Sequence, residues 1–343
     1  MIDQQGRTIE YMRVSVTDRC NLRCVYCMPA GGVTCVRHDD ILTYDEITRI
    51  CRIGAELGIS RIKLTGGEPL VRRGLPELLG MIRRLPGIEQ VTLTTNGILL
   101  KEKINELVSN GLDSVNISID TLDGNRYREI TRGGELNKVL SGIETALKVP
   151  SLKVKINCVP MTETPRQEYI RLARLARDHE MDVRFIEMMP IGLGRKYGYV
   201  SGRQIYQTLK NEFGEAKRCS GRFGNGPAVY VCFPGFIGKI GFIDAVSHQF
   251  CEKCNRVRLT SEGYLKPCLQ YGAGTDLRDL MRSGADDGII RDEMRRTIYD
   301  KPACHHFGEC ACGKASGKNA SDGMKQDNGE MKYETRDMSQ IGG

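Results

Sequence analysis

A chain of 343 residues that is 40% hydrophobic has enough apolar sequence for one large domain or two ordinary ones. A formal charge of +7 with 6% aromatic residues and no Trp argues against a nucleic-acid surface of Lys and Arg interleaved with aromatics, and suits a small phosphorylated ligand better. No stretch approaches a membrane span and the first residues hold no apolar leader, so 14 cysteines in clustered spacings point to metal or catalytic use in a reducing cytoplasm rather than to disulfides.

Residues 11–17 alternate and are rich in β-branched side chains, so they read as a strand. It feeds Cys20, Cys24 and Cys27, a C-x3-C-x2-C spacing with Tyr26 before the last cysteine. Three thiolates this close converge on one metal centre only if the chain between them is a tight loop. A closed zinc site wants four ligands, and His38 is the candidate fourth; a cubane cluster on three thiolates keeps one iron open for chemistry. Thr43-Tyr-Asp-Glu46 is a capping box that opens a helix to about residue 57, and a strand at 60–65 then leads into Gly66-Gly67-Glu68-Pro69. Helices are expected near 75–85, 101–109, 137–148 and 166–179, separated by strands at 90–95, 113–120, 152–159 and 182–188.

Six strands alternating with helices predict an α/β fold with a parallel sheet, barrel-like or doubly wound. No G-x-G-x-x-G follows the first strand, and Gly66-Gly67-Glu68-Pro69 lacks the Lys-Ser/Thr of a P-loop. Polar and small residues are expected at the strand C-terminal ends, with Arg13 an exception inside the first strand. After Pro190 the pattern turns to Gly, Pro and short strands near 228–233 and 236–243. The expected division is a barrel over 1–220, a C-terminal region over 221–310 and a flexible tail over 311–343, with a polar linker at 313–332.

A second cysteine set follows: Cys251, Cys254 and, after thirteen residues, Cys268. Spacing alone leaves a zinc ribbon completed by His248 and a second cluster equally open. Arg256 and Arg258 alternate along a strand, so both guanidiniums share one face beside the metal and match phosphate geometry.

The cysteine loop together with the Gly-Gly-Glu-Pro element resembles the radical S-adenosylmethionine superfamily, which implies an incomplete (β/α)6 TIM-like barrel. The run Cys251-x2-Cys254-Asn-Arg-Val-Arg-Leu-Thr-x-x-Gly, the Asp18-Arg19-Cys20-Asn21-Leu22-Arg23-Cys24 opening and the end Met338-Ser-Gln-Ile-Gly342-Gly343 narrow the likeness to the GTP 3′,8-cyclase family of molybdenum cofactor biosynthesis. That resemblance implies two 4Fe–4S clusters, on Cys20, Cys24 and Cys27 and on Cys251, Cys254 and Cys268. It puts S-adenosylmethionine at Tyr26, Gly67, Ser118 and Met189, and GTP at Arg13, Lys63, Thr94, Lys155, Arg256, Val257 and Arg258. Taken alone, Ser118 is an ordinary strand residue, Met189 core and Lys155 a solvated face.

The resemblance further implies that a 5′-deoxyadenosyl radical takes the ribose 3′ hydrogen of GTP and that C3′ adds to guanine C8. It implies that Gly342 and Gly343 reach the site and assist radical formation. The partners it implies are a flavodoxin- or ferredoxin-type electron donor, the downstream cyclic pyranopterin monophosphate synthase and a second copy in a homodimer. Cys304, His305, His306, Cys310 and Cys312 depart from the family pattern, either as an adventitious metal site or as an insertion that lengthens the tail; the second is preferred. Two other readings are a peptide-modifying radical enzyme, against which Asn255-Arg256-Val257-Arg258 and the final Gly-Gly speak, and a zinc-stabilised binding protein, which would be colourless.

Overall fold

The computed structural model describes residues 1–221, 223–307 and 333–342. Strands β1 (Tyr11–Ser15), β2 (Arg61–Thr65), β3 (Gln90–Thr95), β4 (Ser114–Ser118), β5 (Lys153–Cys158) and β6 (Met181–Ile186) pair in parallel in chain order. They alternate with α1 (Tyr44–Glu56), α2 (Leu75–Arg83), α3 (Leu100–Ser109), α4 (Gly124–Thr131) followed by α5 (Leu136–Leu147), and α6 (Arg166–Asp178). The capping box forms as expected: Glu46 N donates to Thr43 Oγ1 at 3.1 Å and Thr43 N to the Glu46 carboxylate at 2.7 Å. Helix α4 is not anticipated by the sequence. It is too short for a helical period to stand out, and it is nucleated by Asp123, which accepts from Arg126 N at 2.8 Å.

Beyond α6 the Gly- and Pro-rich sequence still builds regular structure. It forms α7 (Gly202–Phe213), β7 (Lys217–Arg218), β8 (Val229–Cys232), β9 (Ile240–Ile243), β10 (Arg256–Leu259), β11 (Tyr264–Lys266), β12 (Thr275–Asp276), α8 (Leu277–Arg282) and α9 (Asp287–Tyr299). The sheet order is β12-β11-β10-β1-β2-β3-β4-β5-β6-β9-β8-β7. Strands β10 and β9 extend the two edges of the β1–β6 sheet in parallel, and the outer strands finish antiparallel. The strands past residue 220 are thus part of the same sheet. Strands β12 and β7 end the order without pairing to each other, so the barrel stays open.

Alternation along the strands sorts the side chains by face. Met12, Val14, Ile62, Leu64, Val91, Leu93, Val115, Ile117, Ile156, Val183 and Phe185 are fully or almost fully buried in one core with the helices. Each such side chain contributes about 1.5–3 kcal/mol. The other face carries Arg13, Lys63, Thr92, Thr94, Asn116, Lys155 and Arg184. A closed barrel normally fills its interior with apolar layers; this one is polar inside. Polar residues are therefore not confined to the strand C-terminal ends as expected, and Arg13 follows the rule of the inner face.

Two other expectations are corrected. Cys219 and Cys232 form a disulfide: the antiparallel pairing of β7 with β8, which sets Cys232 beside Lys217, brings the two cysteines diagonally to a Cα separation of 6.0 Å. Residues 333–342 do not hang free. Tyr333 bridges to Tyr271 and stacks on its ring at 5.9 Å, Glu334 pairs with buried Lys266, and Ile341 is fully buried among Ile191, Val246, Leu269 and Phe307. Residues 313–332, Cys310, Cys312 and Gly343 lie outside the described residues. Among the described residues no helix is long and apolar enough to cross a membrane.

Candidate active site

The first cysteine loop follows β1, at the C-terminal end of the parallel strands, and is closed by backbone bonds from Cys27 N and Met28 N to Cys24 O. Cys20 Sγ accepts from Leu22 N at 3.4 Å and from Asn96 Nδ2 at 3.9 Å. Gly67 is pressed against this loop: a Cβ there would meet Arg19 O at 2.4 Å and Asp18 O at 2.6 Å, so no other residue fits. Glu68 is architectural. Its carboxylate accepts from Leu70 N, Thr95 Oγ1 and Asn96 N at 2.7–3.0 Å, locking the turn to the end of β3, and burial still pushes its pKa up to about 7. Tyr26 is fixed by donating to Asp120 at 2.6 Å. Ser118 ends β4, and Met189 follows β6 and packs on the Ile341 cluster. All four residues expected at S-adenosylmethionine thus stand at the same end of the strands as the first cysteines.

Below them, inside the barrel, is a cavity of about 1010 Å³. Its lining includes Arg13, Arg61, Lys63, Lys153, Lys155, Arg184, Lys239 and Arg256, eight basic side chains against the three acids Asp178, Glu180 and Asp182. The strand register assembles them, setting Tyr11 beside Arg61 and Arg256, Arg13 beside Lys63 and Arg258, and Asn116 beside Lys155. Burial, reinforced by Arg184, Arg13, Lys155 and Arg256, holds the Lys63 ammonium well below its usual pKa. So many cations in one low-dielectric space need an anion. Among the described residues, Arg184 Nε and Nη2 and Asn157 Oδ1 are buried without a hydrogen-bond partner. Lys155 is engaged, with Asp182 at 3.0 Å, Tyr230 Oη at 3.3 Å and the Phe223 carbonyl.

The second cysteine set borders this cavity. A smaller cavity of about 360 Å³ shares Asn225, Gly226, Pro227 and Arg256 with the large one and reaches Cys254. Burial pushes the Cys254 thiol up, but Lys301 and Arg256 outweigh it and bring the pKa down to about 6. Cys251 Sγ accepts from His305 N at 3.3 Å. Arg256 also stands over the Phe250 ring at 5.1 Å. Arg258 is buried and donates through Nη1 to Gly342 O at 2.8 Å. Val257 is 1% exposed and its side chain belongs to the core on the other face of β10, so only its backbone can meet a ligand in the cavity.

The tail joins the two ends of the site. Gly342 takes φ +73° against Ser15 and Thr65, and Ile341 packs in the cluster that Met189 joins. Arg13, Lys63, Thr94, Lys155 and Arg256 share the large cavity, with Arg258 beside them under the tail. The alternative zinc sites lack their fourth ligands: the His38 side chain is 98% exposed, and His248 is exposed too. Among the described residues no three His, Cys, Asp or Glu side chains converge on one ion position. Both cysteine sets fit a cluster better, since one sulfur in each, Cys20 and Cys251, accepts an N–H bond, as thiolate ligands do, and each set has three thiols for four irons. Sequence reasoning missed Arg184, Arg61, Asn116 and Asn157; their signal is the alternation of polar residues along strands whose other face is apolar.

Residues 14–189 match the radical SAM superfamily, and residues 181–307 match the family described as Molybdenum Cofactor Synthesis C. Among curated proteins, a GTP 3′,8-cyclase of Clostridium perfringens strain 13 is 47% identical over 307 residues, covering 90% of this chain and 95% of its own. A GTP 3′,8-cyclase of Heliobacterium modesticaldum is 45% identical over 310 residues, with 90% and 95% covered. Among solved structures, Streptococcus suis SuiB bound to the precursor peptide SuiA superposes at a TM-score of 0.59 and 16% identity, over 89% of this chain and 71% of SuiB. That last likeness is one of fold.

Proposed function

The chain belongs to the GTP 3′,8-cyclase family of radical S-adenosylmethionine enzymes, and on that premise we propose how its residues carry the cyclisation of GTP, the first step of molybdenum cofactor biosynthesis. The observation that carries the assignment of the substrate site is the polar barrel interior, where eight basic side chains face three acids in a cavity that shares Arg256 with a smaller one reaching Cys254.

Cys20, Cys24 and Cys27 would hold the first cluster, which with S-adenosylmethionine would supply the 5′-deoxyadenosyl radical that takes the ribose 3′ hydrogen of GTP; C3′ would then close on guanine C8, and the resulting radical would take up one electron from the donor and one proton. Cys251, Cys254 and Cys268 would hold a second four-iron cluster, which would supply a further binding position for the guanine. Arg13, Lys63, Lys155, Arg184, Arg256 and Arg258 bind the triphosphate, with the guanidiniums offering paired N–H donors to phosphate oxygens. Thr94 and the Val257 backbone add polar contacts. Tyr26, Gly67, Ser118 and Met189 shape the S-adenosylmethionine site, and Gly342 brings the tail between the two halves. The chain's part is orientation, holding the ribose toward the first cysteine loop while the phosphates are pinned from below.

The product, 3′,8-cyclo-7,8-dihydroguanosine 5′-triphosphate, passes to a cyclic pyranopterin monophosphate synthase. A flavodoxin- or ferredoxin-type donor supplies electrons to a homodimer in the cytoplasm; family membership supports this reading. Arg256→Ala and Arg184→Met are the test of the substrate site. Each is expected to weaken GTP binding at least tenfold, since a hydrogen bond to a charged group is worth about 1.5–3 kcal/mol, while the first cluster still loads. Unchanged GTP affinity in both variants contradicts the phosphate role.

A further inference from the structure

The second cysteine set comes from two separate segments, 251–254 and 268, and the N-terminal residues reach the first directly and the second through Lys301. Ile2 pairs with Thr8, and Asp3 turns the chain by accepting from Gln5 N at 3.0 Å and Arg7 N at 2.9 Å. The other Asp3 oxygen accepts from Arg7 Nε at 2.7 Å, which fixes the plane of the guanidinium. Its two free ends then meet carbonyls. Nη1 donates to Cys251 O at 3.0 Å and Ala303 O at 3.1 Å, and Nη2 donates to Lys301 O at 3.1 Å and Pro302 O at 2.8 Å. Asp3 and Arg7 are both buried.

The segment thus clamped returns to the cysteines twice. Lys301, itself buried, donates its ammonium to the carbonyl of Pro267, the residue before Cys268. His305 N donates to Cys251 Sγ at 3.3 Å. One guanidinium therefore ties the backbone at Cys251 to the 301–303 strap, and Lys301 ties that strap to the backbone at Cys268.

We propose that Arg7 is a positioning residue for the second iron–sulfur centre, acting with Lys301 to hold the segments of Cys251 and Cys268 at one spacing. This rests on the reading of Cys251, Cys254 and Cys268 as a cluster site. Only an arginine suits the position, because a planar fork with five N–H donors serves Asp3 and four carbonyls at once, whereas an ammonium has three donors and no plane.

The test compares wild-type protein, Arg7→Lys and Lys301→Met after anaerobic reconstitution, by iron and sulfide counts, by electron paramagnetic resonance of the reduced proteins with and without GTP, and by GTP-independent cleavage of S-adenosylmethionine. Wild-type protein is expected to hold about eight irons, from two four-iron clusters. Both variants are expected to hold about four, to lose the signal that GTP perturbs, and to keep cleavage within about twofold of wild type. Variants that retain eight irons and the GTP-responsive signal overturn the proposal. So does loss of both clusters together, since Arg7 and Lys301 would then support the fold generally. Wild-type protein with only four irons removes the second centre itself and overturns the underlying reading along with the clamp.

Discussion

Gly342→Ala tests the docked tail most sharply. Gly342 sits at φ +73°, where an L-residue costs about 1–2 kcal/mol. The added Cβ would lie 2.8 Å from Ser15 Cβ, an atom fixed to β1 that cannot swing away, with Thr65 Cγ2 at 3.4 Å on the other side. Overpacking of this kind costs about 1–3 kcal/mol. Together the two terms come to about 2–5 kcal/mol, which lowers the docking equilibrium roughly 30-fold or more. Hydrogen exchange in the reconstituted enzyme reads it directly: protection of residues 333–342 should fall by that factor while protection in β1–β6 stays. Because Gly342 O accepts from Arg258 and Ile341 packs in the cluster that Met189 joins, yield of cyclised product should fall with it. Unchanged protection with unchanged product would refute the account of the tail.

Lys63 makes GTP binding a proton-linked event. Burial and the surrounding cations lower its pKa in the free protein, so the ammonium is lost at a lower pH than usual; a bound polyphosphate restores it. The sign is proton uptake on binding, with affinity falling as pH rises above the lowered pKa. Calorimetry in buffers of different ionisation enthalpy should show that uptake, and Lys63→Met should abolish it; a binding enthalpy independent of buffer contradicts the linkage. Cys24→Ala should cost one cluster, about four irons, and all cleavage of S-adenosylmethionine. Retained cleavage would refute the role given to the first loop.

What the sequence made legible depended on how local the signal was. Cys20, Cys24 and Cys27, the Gly-Gly-Glu-Pro turn and Arg256-Val-Arg258 are contiguous, so they stand out as motifs, and the resemblance they carry implied their roles. Arg184 was not singled out, because a single Arg in Met181–Ile186 gains meaning only when the register places it in the same cavity as Lys63. Val257 shows the opposite case: the motif marks it, but strand alternation turns its side chain into the core. Helix α7 hid in a stretch whose glycines and prolines suggested loops, although Ser201 and Gln204 form a capping box there. The course of the tail could not be read because a long polar run separates it from α9, and docking depends on Ile341 and Glu334 finding partners far away in sequence.

The central claim is that this chain carries two clusters and turns GTP into a cyclised nucleotide. Anaerobic reconstitution, iron and sulfide counts, and reaction with S-adenosylmethionine, dithionite and GTP test it in one experiment. The account predicts about eight irons, GTP-dependent 5′-deoxyadenosine and a 3′,8-cyclised guanosine triphosphate. About four irons, with 5′-deoxyadenosine formed and GTP recovered intact, would contradict it.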